Sequence, residues 1–231
     1  MTGVELIAAA RAQSRAALDE LAGKQLLAGF GVKVPRSVTV PNAGAAGAAA
    51  GLTPPLAVKV MSPDILHKSD AGGVKIGLQN AHEVGQAIDE MATLPAIKAA
   101  RIDGYLIEEM APAGQEIVVG SVRDPDFGPM VMVGLGGIFV EVLADVAFRI
   151  CPITRLDAEE MLAELKGAAI LNGARGRKPA SREAIVDVLL KIGGDDGLLM
   201  RHADDFTEAD INPLIVSETG AVAVDARFIL A

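Results

Sequence analysis

The chain has 231 residues, enough for one large core or two modest lobes, and a composition of 51% hydrophobic against 22% charged residues lets it bury enough apolar surface to fold. Its formal net charge of -9, with no run of Lys and Arg, excludes a nucleic-acid partner, although a few converging cations and backbone amides still suffice for an anionic ligand. The lone Cys151 rules out an intrachain disulfide framework or zinc site, and no apolar run reaches the roughly 18 residues of a membrane span, so a cytoplasmic protein without membrane insertion or export is expected.

In chain order, residues 4–30 predict one helix, rich in Ala and Leu and stopped near Gly29 and Gly31. A strand at 37–40 precedes an Ala/Gly tract, 42–51, whose alanines predict a small packed helix rather than a linker. Strands at 56–61 and 74–78 flank a polar loop, and Asn80 with Glu83 three residues on opens a helix to about residue 91. Strands at 105–110, 116–122, 130–134 and 147–151 follow, then helices beginning near Asp157 and Ser181, with a mobile loop expected at 172–179. A hairpin over 209–227 closes the chain. Strands and helices mix without a regular βαβ period, which predicts an α+β fold. The expected division is into residues 1–106, an N-terminal helical segment with a smaller lobe, and 107–231, a larger lobe.

Three features carry chemistry. Lys59 sits in mid-strand among apolar residues, where an ammonium is costly without a partner; a phosphate oxygen, a carboxylate or solvent would each serve. In the adjoining loop, Gly72 and Gly73 allow close approach of backbone to a phosphate, with Lys68 and Lys75 as cations at its two ends. Neither GxxxxGK[ST] nor GxGxxG occurs, so Walker and Rossmann sites lose support. His67 lies in the same loop, whereas His82 and His202 lack a comparable setting and default to structural roles.

The third feature is a register. If Glu218 and Thr219 form a two-residue hairpin loop, Ser217 faces Gly220, Asn212 faces Asp225, and Asp210 faces Arg227. Asp210, Asn212, Asp225 and Arg227 then share one sheet face, and Ile211, Ile215, Val222, Val224 and Ala226 share the other. An amide oxygen and a carboxylate about 5 Å apart suit a hard cation such as magnesium. Glu141, Asp145 and Arg149 recur at four-residue intervals, compatible with either a helix turn or a bend toward a ligand.

The stretch VKVMSPDILHKSDAGGVKIGL (58–78), with IEEMAPAGQEIVVGSVRDPDFGPMVMVGLGGIFVEVLADVAFRICPI (107–153) and ADINPLIV and GAVAVDAR within 209–227, resembles the ATP-grasp (beta) subunit of ADP-forming acyl-CoA synthetases. The resemblance implies an ATP-grasp fold of two α/β lobes with the nucleotide between them. It implies that Lys59 contacts ATP phosphates under Gly72 and Gly73, and that 108–110, with Glu108, Glu109 and Met110, receives adenine and ribose. Glu116 and Arg149 join the nucleotide-binding set, Arg149 on the phosphate side. Magnesium falls to Asn212 and Asp225, and His67 becomes a phosphohistidine, with Asp210 orienting it or supporting the metal. ATP/ADP and Mg2+ are the implied cofactors, and a separate CoA-binding alpha subunit and a small acyl substrate the implied partners. A self-sufficient carboxylate ligase working through acyl phosphate, and a nucleotide sensor without catalysis, remain the alternatives.

Overall fold

The structure, a computed structural model, describes residues 1–65, 67–137, 144–173 and 178–231. The chain forms two compact units, one of residues 35–111 and one of residues 1–34 with 112–231.

The smaller unit is a four-stranded antiparallel sheet, β2 (Ser37–Val40), β5 (Gly104–Glu109), β3 (Leu56–Met61) and β4 (Val74–Leu78) in that spatial order. Helix α3 (Ala81–Thr93) lays Val84, Ala87, Ile88 and Met91 on one face of this sheet, an i, i+3, i+4, i+7 stripe. The Asn80 side chain accepts from the Glu83 amide at 3.0 Å, the predicted N-cap. The Ala/Gly tract is indeed helical, but as a 3-10 stretch, Ala43–Gly51, with Ala46 and Ala49 buried. A short helix, α4 (Pro95–Ala99), completes the unit.

The larger unit carries a seven-stranded sheet in the order β1 (Ala17–Leu18), β11 (Arg227–Leu230), β9 (Phe206–Ser217), β6 (Gln115–Asp124), β7 (Gly128–Leu135) and β8 (Val146–Ile150), with β10 (Gly220–Ala223) also on β9. Helices α1 (Gly3–Ala12), α2 (Glu20–Gly29), α5 (Arg155–Glu164), α6 (Arg182–Gly193) and α7 (Leu198–Arg201) supply the rest of its core. None of the described helices is long and apolar enough to cross a membrane.

Three expectations change. The single helix of 4–30 is two, because Ala17 and Leu18 pair with Ile229 and Phe228 of β11, and Asp19 starts α2 afresh by accepting from the Ala22 amide at 2.9 Å. The boundary at 106/107 gives way to 34/35 and 111/112, because Leu6, Ile7, Leu26 and Leu27 bury themselves in the larger unit's core. Helix α5 begins before the predicted Asp157: Thr154, three residues earlier, is the cap, and Asp157 completes a capping box with it. The loop expected at 172–179 lies partly outside the described residues, as does Glu141.

Candidate functional site

In the smaller unit the site is built on β3 and β5. Lys59 stands opposite Leu106 and Glu108 opposite Ala57, so the two charged side chains share the sheet face away from α3. Their ammonium and carboxylate meet at 2.7 Å with both side chains at least nine-tenths buried. The carboxylate partner foreseen for a mid-strand lysine is therefore present, and it comes from the segment the resemblance assigned to the nucleotide. Glu109 points elsewhere: it takes the Thr53 amide at 2.8 Å and pairs with Arg36 at 3.0 Å, pinning the start of β2 to β5. Met110 is half-exposed, and its amide donates to the Pro55 carbonyl at 3.0 Å.

The glycine loop is organised by its own backbone. The amides of Ala71, Gly72 and Gly73 donate to the carbonyls of His67, Ser69 and Lys68, and the Gly73 carbonyl accepts from Val60 at 2.8 Å. Gly72 holds φ of +71°, and a Cβ there would come within 2.6 Å of Leu94, while one on Gly73 would strike Val60. In this conformation the glycines are explained by close packing and turn geometry; their amides serve the loop itself. Lys68 is half-buried in this loop. His67 is exposed beside Asp64, Ile65 and Asp70, over the alanines Ala96, Ala99 and Ala100 at the end of α4. Lys75 does not join Lys59. It stands opposite Val58, on the α3 face, and pairs with Glu90 at 3.3 Å.

In the larger unit the predicted register is present at both ends of the hairpin: Gly220 faces Ser217, and Arg227 faces Asp210. Val224 continues it by donating to the Pro213 carbonyl at 3.0 Å, which leaves Asn212 level with Asp225. The faces, however, switch midway. Ala209 and Ile211 are buried on one side of the step and Leu214 and Val216 on the other; Ala221 and Ala223 alternate likewise with Ala226 and Phe228. Ile215, Val222 and Val224, predicted to be on the buried face with Ile211, are only half-buried. The reason is a bulge: β9 inserts one residue against β6 between the pairs Val119–Ile211 and Ile117–Leu214, and β10 and β11 break at the same level. Asn212 and Asp225 thus sit at an irregularity that aims side chains differently from a regular ladder, Asn212 exposed and Asp225 half-buried.

Asp210 lies opposite Gly120, and Glu116 alternates onto that same face of β6. Gly136 abuts Glu116, donating to its carbonyl at 2.8 Å. Burial above all, then the nearby Asp225 and Glu208, push the Asp210 carboxyl above the ordinary carboxylate range, and Arg227 opposes them. Arg149 is on the reverse face: it stands opposite Val131 of the core and binds Glu164 of α5 at 3.0 Å, a bond that raises its pKa. Asp145 is buried and accepts the amides of Lys166 and Gly167, both at 2.8 Å, so it anchors a loop. His202 is held by Asp205 at 2.9 Å between Phe30 and Phe206. Burial drives the Cys151 thiol up to about 12, which removes it as a nucleophile at neutral pH.

The oxygen donors Asp210, Asn212 and Asp225 suit a hard cation in chemistry, since two carboxylates and an amide oxygen lie on adjacent levels of the hairpin and Asp225 acts on Asp210 as a like charge. Among the described residues no group of three His, Cys, Asp or Glu could hold a metal unaided. That suits magnesium, which commonly takes one or two protein oxygens together with phosphates and water. The sequence missed a buried ion pair, Lys24 with Glu20 at 2.8 Å on α2. Its signal was the i, i+4 spacing; nothing in the spacing indicated burial.

Residues 9–230 match the ATP-grasp domain family. The chain is 44% identical to the beta subunit of acetate–CoA ligase (ADP-forming) I of Pyrococcus furiosus, over 98% of this chain and 97% of that one. It also aligns with acetate–CoA ligase (ADP-forming) I of Archaeoglobus fulgidus, 46% identical over 76% of this chain, where it spans only 25% of the longer relative. Among solved structures it resembles acetyl-coenzyme A synthetase 1 of Ca. Korarchaeum cryptofilum. The complex with coenzyme A and Ca-AMPCP superposes with a TM-score of 0.91 at 37% identity, covering 98% of this chain and 99% of that one. The complex with coenzyme A and Mg-AMPPCP, whose phosphohistidine segment points towards the nucleotide site, gives 0.85 at 36%, covering 99% and 100%. With matches that run nearly end to end on both sequence and fold, the chain belongs to the ATP-grasp family, among the beta subunits of ADP-forming acyl-CoA synthetases.

Proposed function

We propose that this chain is the nucleotide-binding, phosphoryl-transferring subunit of an ADP-forming acid–CoA ligase, acting in acyl-CoA + ADP + phosphate ⇌ acid + CoA + ATP. The feature that supports the reading is the bulged hairpin, which sets Asn212 level with Asp225 and leaves Asp210 on the neighbouring pair with Arg227. Magnesium bound there would screen the nucleotide phosphates and draw charge from the transferring group.

The chain's own residues supply the rest. Lys59 is held ready at the end of a buried ion pair, so its ammonium costs little reorganisation when a phosphate oxygen arrives. Glu108 fixes that ammonium and lies on the segment that would receive the nucleoside. His67, exposed on a loop between two strands, offers its imidazole nitrogen to the γ-phosphorus. The N–P bond forms as the bond to the bridging oxygen breaks, and that oxygen leaves on ADP; the reverse step returns the phosphoryl group to ADP. Dividing the transfer in two lets a mobile carrier span a distance that a single displacement could not. The CoA chemistry falls to a partner subunit with a CoA-binding fold, as the name of the Pyrococcus relative, a beta subunit, suggests.

Incubation with γ-labelled ATP and magnesium, followed by gel analysis, tests the relay. Wild-type protein should retain an acid-labile, alkali-stable label that His67→Ala reduces to background while Tm stays unchanged. Label on both proteins, or on neither when turnover with a CoA-binding partner is intact, would leave His67 without a role.

A further inference from the structure

Helix α2 packs against the candidate metal hairpin, and it brings a buried charge there. Lys24 is 2% exposed and Glu20 7%, one helical turn apart, and their ion pair measures 2.8 Å. The Lys24 ammonium also reaches the Val224 carbonyl at 3.4 Å, the outer end of hydrogen-bonding range. Val224 immediately precedes Asp225 and lies in the stretch where β10 has ended and β11 has not begun. There the Val224 amide donates to the Pro213 carbonyl at 3.0 Å, and the Asp225 carboxylate takes the next amide, Ala226, at 2.8 Å. Gly23, beside Lys24, lets the helix come close: a Cβ there would stand 2.9 Å from the Ala226 carbonyl.

Burying an ion pair is poor value as a stabilising device, because apolar residues of the same volume hold such a position as well or better. A lysine that is nonetheless buried, and directed at the one irregular segment carrying a candidate ligand, has a different use. We infer that Lys24, braced by Glu20, is a positioning residue: it fixes the peptide between Val224 and Asp225 so that the Asp225 carboxylate is presented to a divalent cation. The inference rests on the proposal that Asp225 is a metal ligand, and it makes a prediction opposite in sign to simple electrostatics. A nearby ammonium that only repelled the cation would strengthen metal binding when removed; one that holds the ligand in place would weaken it.

The test is Mn2+ binding to the full chain with ADP present, followed by the EPR signal of free Mn2+, alongside thermal unfolding. The variant Glu20→Gln/Lys24→Met removes both charges and keeps the volume. Outer-sphere partners of metal ligands typically contribute 10- to 100-fold to affinity, and a loss of about tenfold with Tm at or above the wild-type value is expected. Gly23→Ala, which changes no charge but presses the helix against Ala226, should weaken Mn2+ in the same direction and keeps the test open if the double variant does not fold. Unchanged or tighter Mn2+ binding in these variants, while Asp225→Asn weakens it, overturns the role of Lys24 and leaves Asp225 as a ligand. If Asp225→Asn itself leaves Mn2+ affinity unchanged, it is the metal site that fails.

Discussion

Each compact unit buries one lysine against one glutamate, and the two pairs are built in opposite ways. Lys59 and Glu108 come from different strands, 49 positions apart, and meet on the sheet face away from α3. Lys24 and Glu20 are neighbours on one helix turn, and Lys24 also reaches a backbone carbonyl beyond that helix. The contrast separates two uses of a buried cation. On the functions proposed above, one is a charge kept in place for a ligand, with its carboxylate on the segment assigned to that ligand, and the other secures the chain next to a proposed metal ligand. Buried charge by itself says only that something other than stability is being served.

Lys59→Met should give the largest effect. It leaves the Glu108 carboxylate buried without its counter-charge, which costs on the order of 3–5 kcal/mol, visible as a lower urea midpoint. The double variant Lys59→Met/Glu108→Gln should recover most of that stability while turnover with a CoA-binding partner stays about 100- to 1,000-fold down, the range for losing one preorganised electrostatic contact. Recovery of both would make the first pair structural and erase the contrast with the second.

A smaller effect of known sign is expected at Asp210. Its folded pKa is raised, so the folded protein holds that proton more tightly than the unfolded chain, and stability from this group is lost as pH rises from the ordinary carboxylate value of 3.8 through the raised one. Asp210→Asn should therefore increase Tm at pH 7, with the gain shrinking as pH falls through that window, and should lower phosphoryl transfer. A gain independent of pH would mean that neither burial nor the nearby Asp225 and Glu208 raises the Asp210 pKa.

The smallest effect sharpens the comparison from the other side. Lys75 was expected as a cation at one end of the phosphate-binding loop; here it pairs with Glu90 in solvent on the α3 face. Lys75→Ala should change stability by less than about 1 kcal/mol and leave ADP affinity within about twofold, measured by calorimetry. A large loss of affinity would require this loop to rearrange on binding nucleotide.

Much of the molecule was legible before any coordinates. Local patterns placed the strands of the smaller unit to within a residue or so, because alternation and turn residues act within a few positions of where they are read. Asn80 and Ser181 were recognisable as caps for the same reason, and the hairpin register followed from a two-residue loop, since one turn fixes every pair beyond it. The glycine loop and the Asn212–Asp225 level were visible as sequence, and the long motifs carried the family.

What needed the tertiary structure were matters of which face and which partner. The period-2 pattern of β4 shows that Val74 and Lys75 point oppositely, but which of them accompanies Lys59 depends on pairing with β3. The bulge at Asn212 inverted the buried face because β6, nearly a hundred residues earlier, pairs with β9 out of step there. Residues 17 and 18 leave the helical pattern only because β11 offers them a strand to join. Composition and spacing determine what a segment prefers by itself. Lys59 with Glu108, Asp210 with Asp225, and Lys24 with Val224 depend on burial and on contacts between distant segments, which exist only once the sheets have assembled.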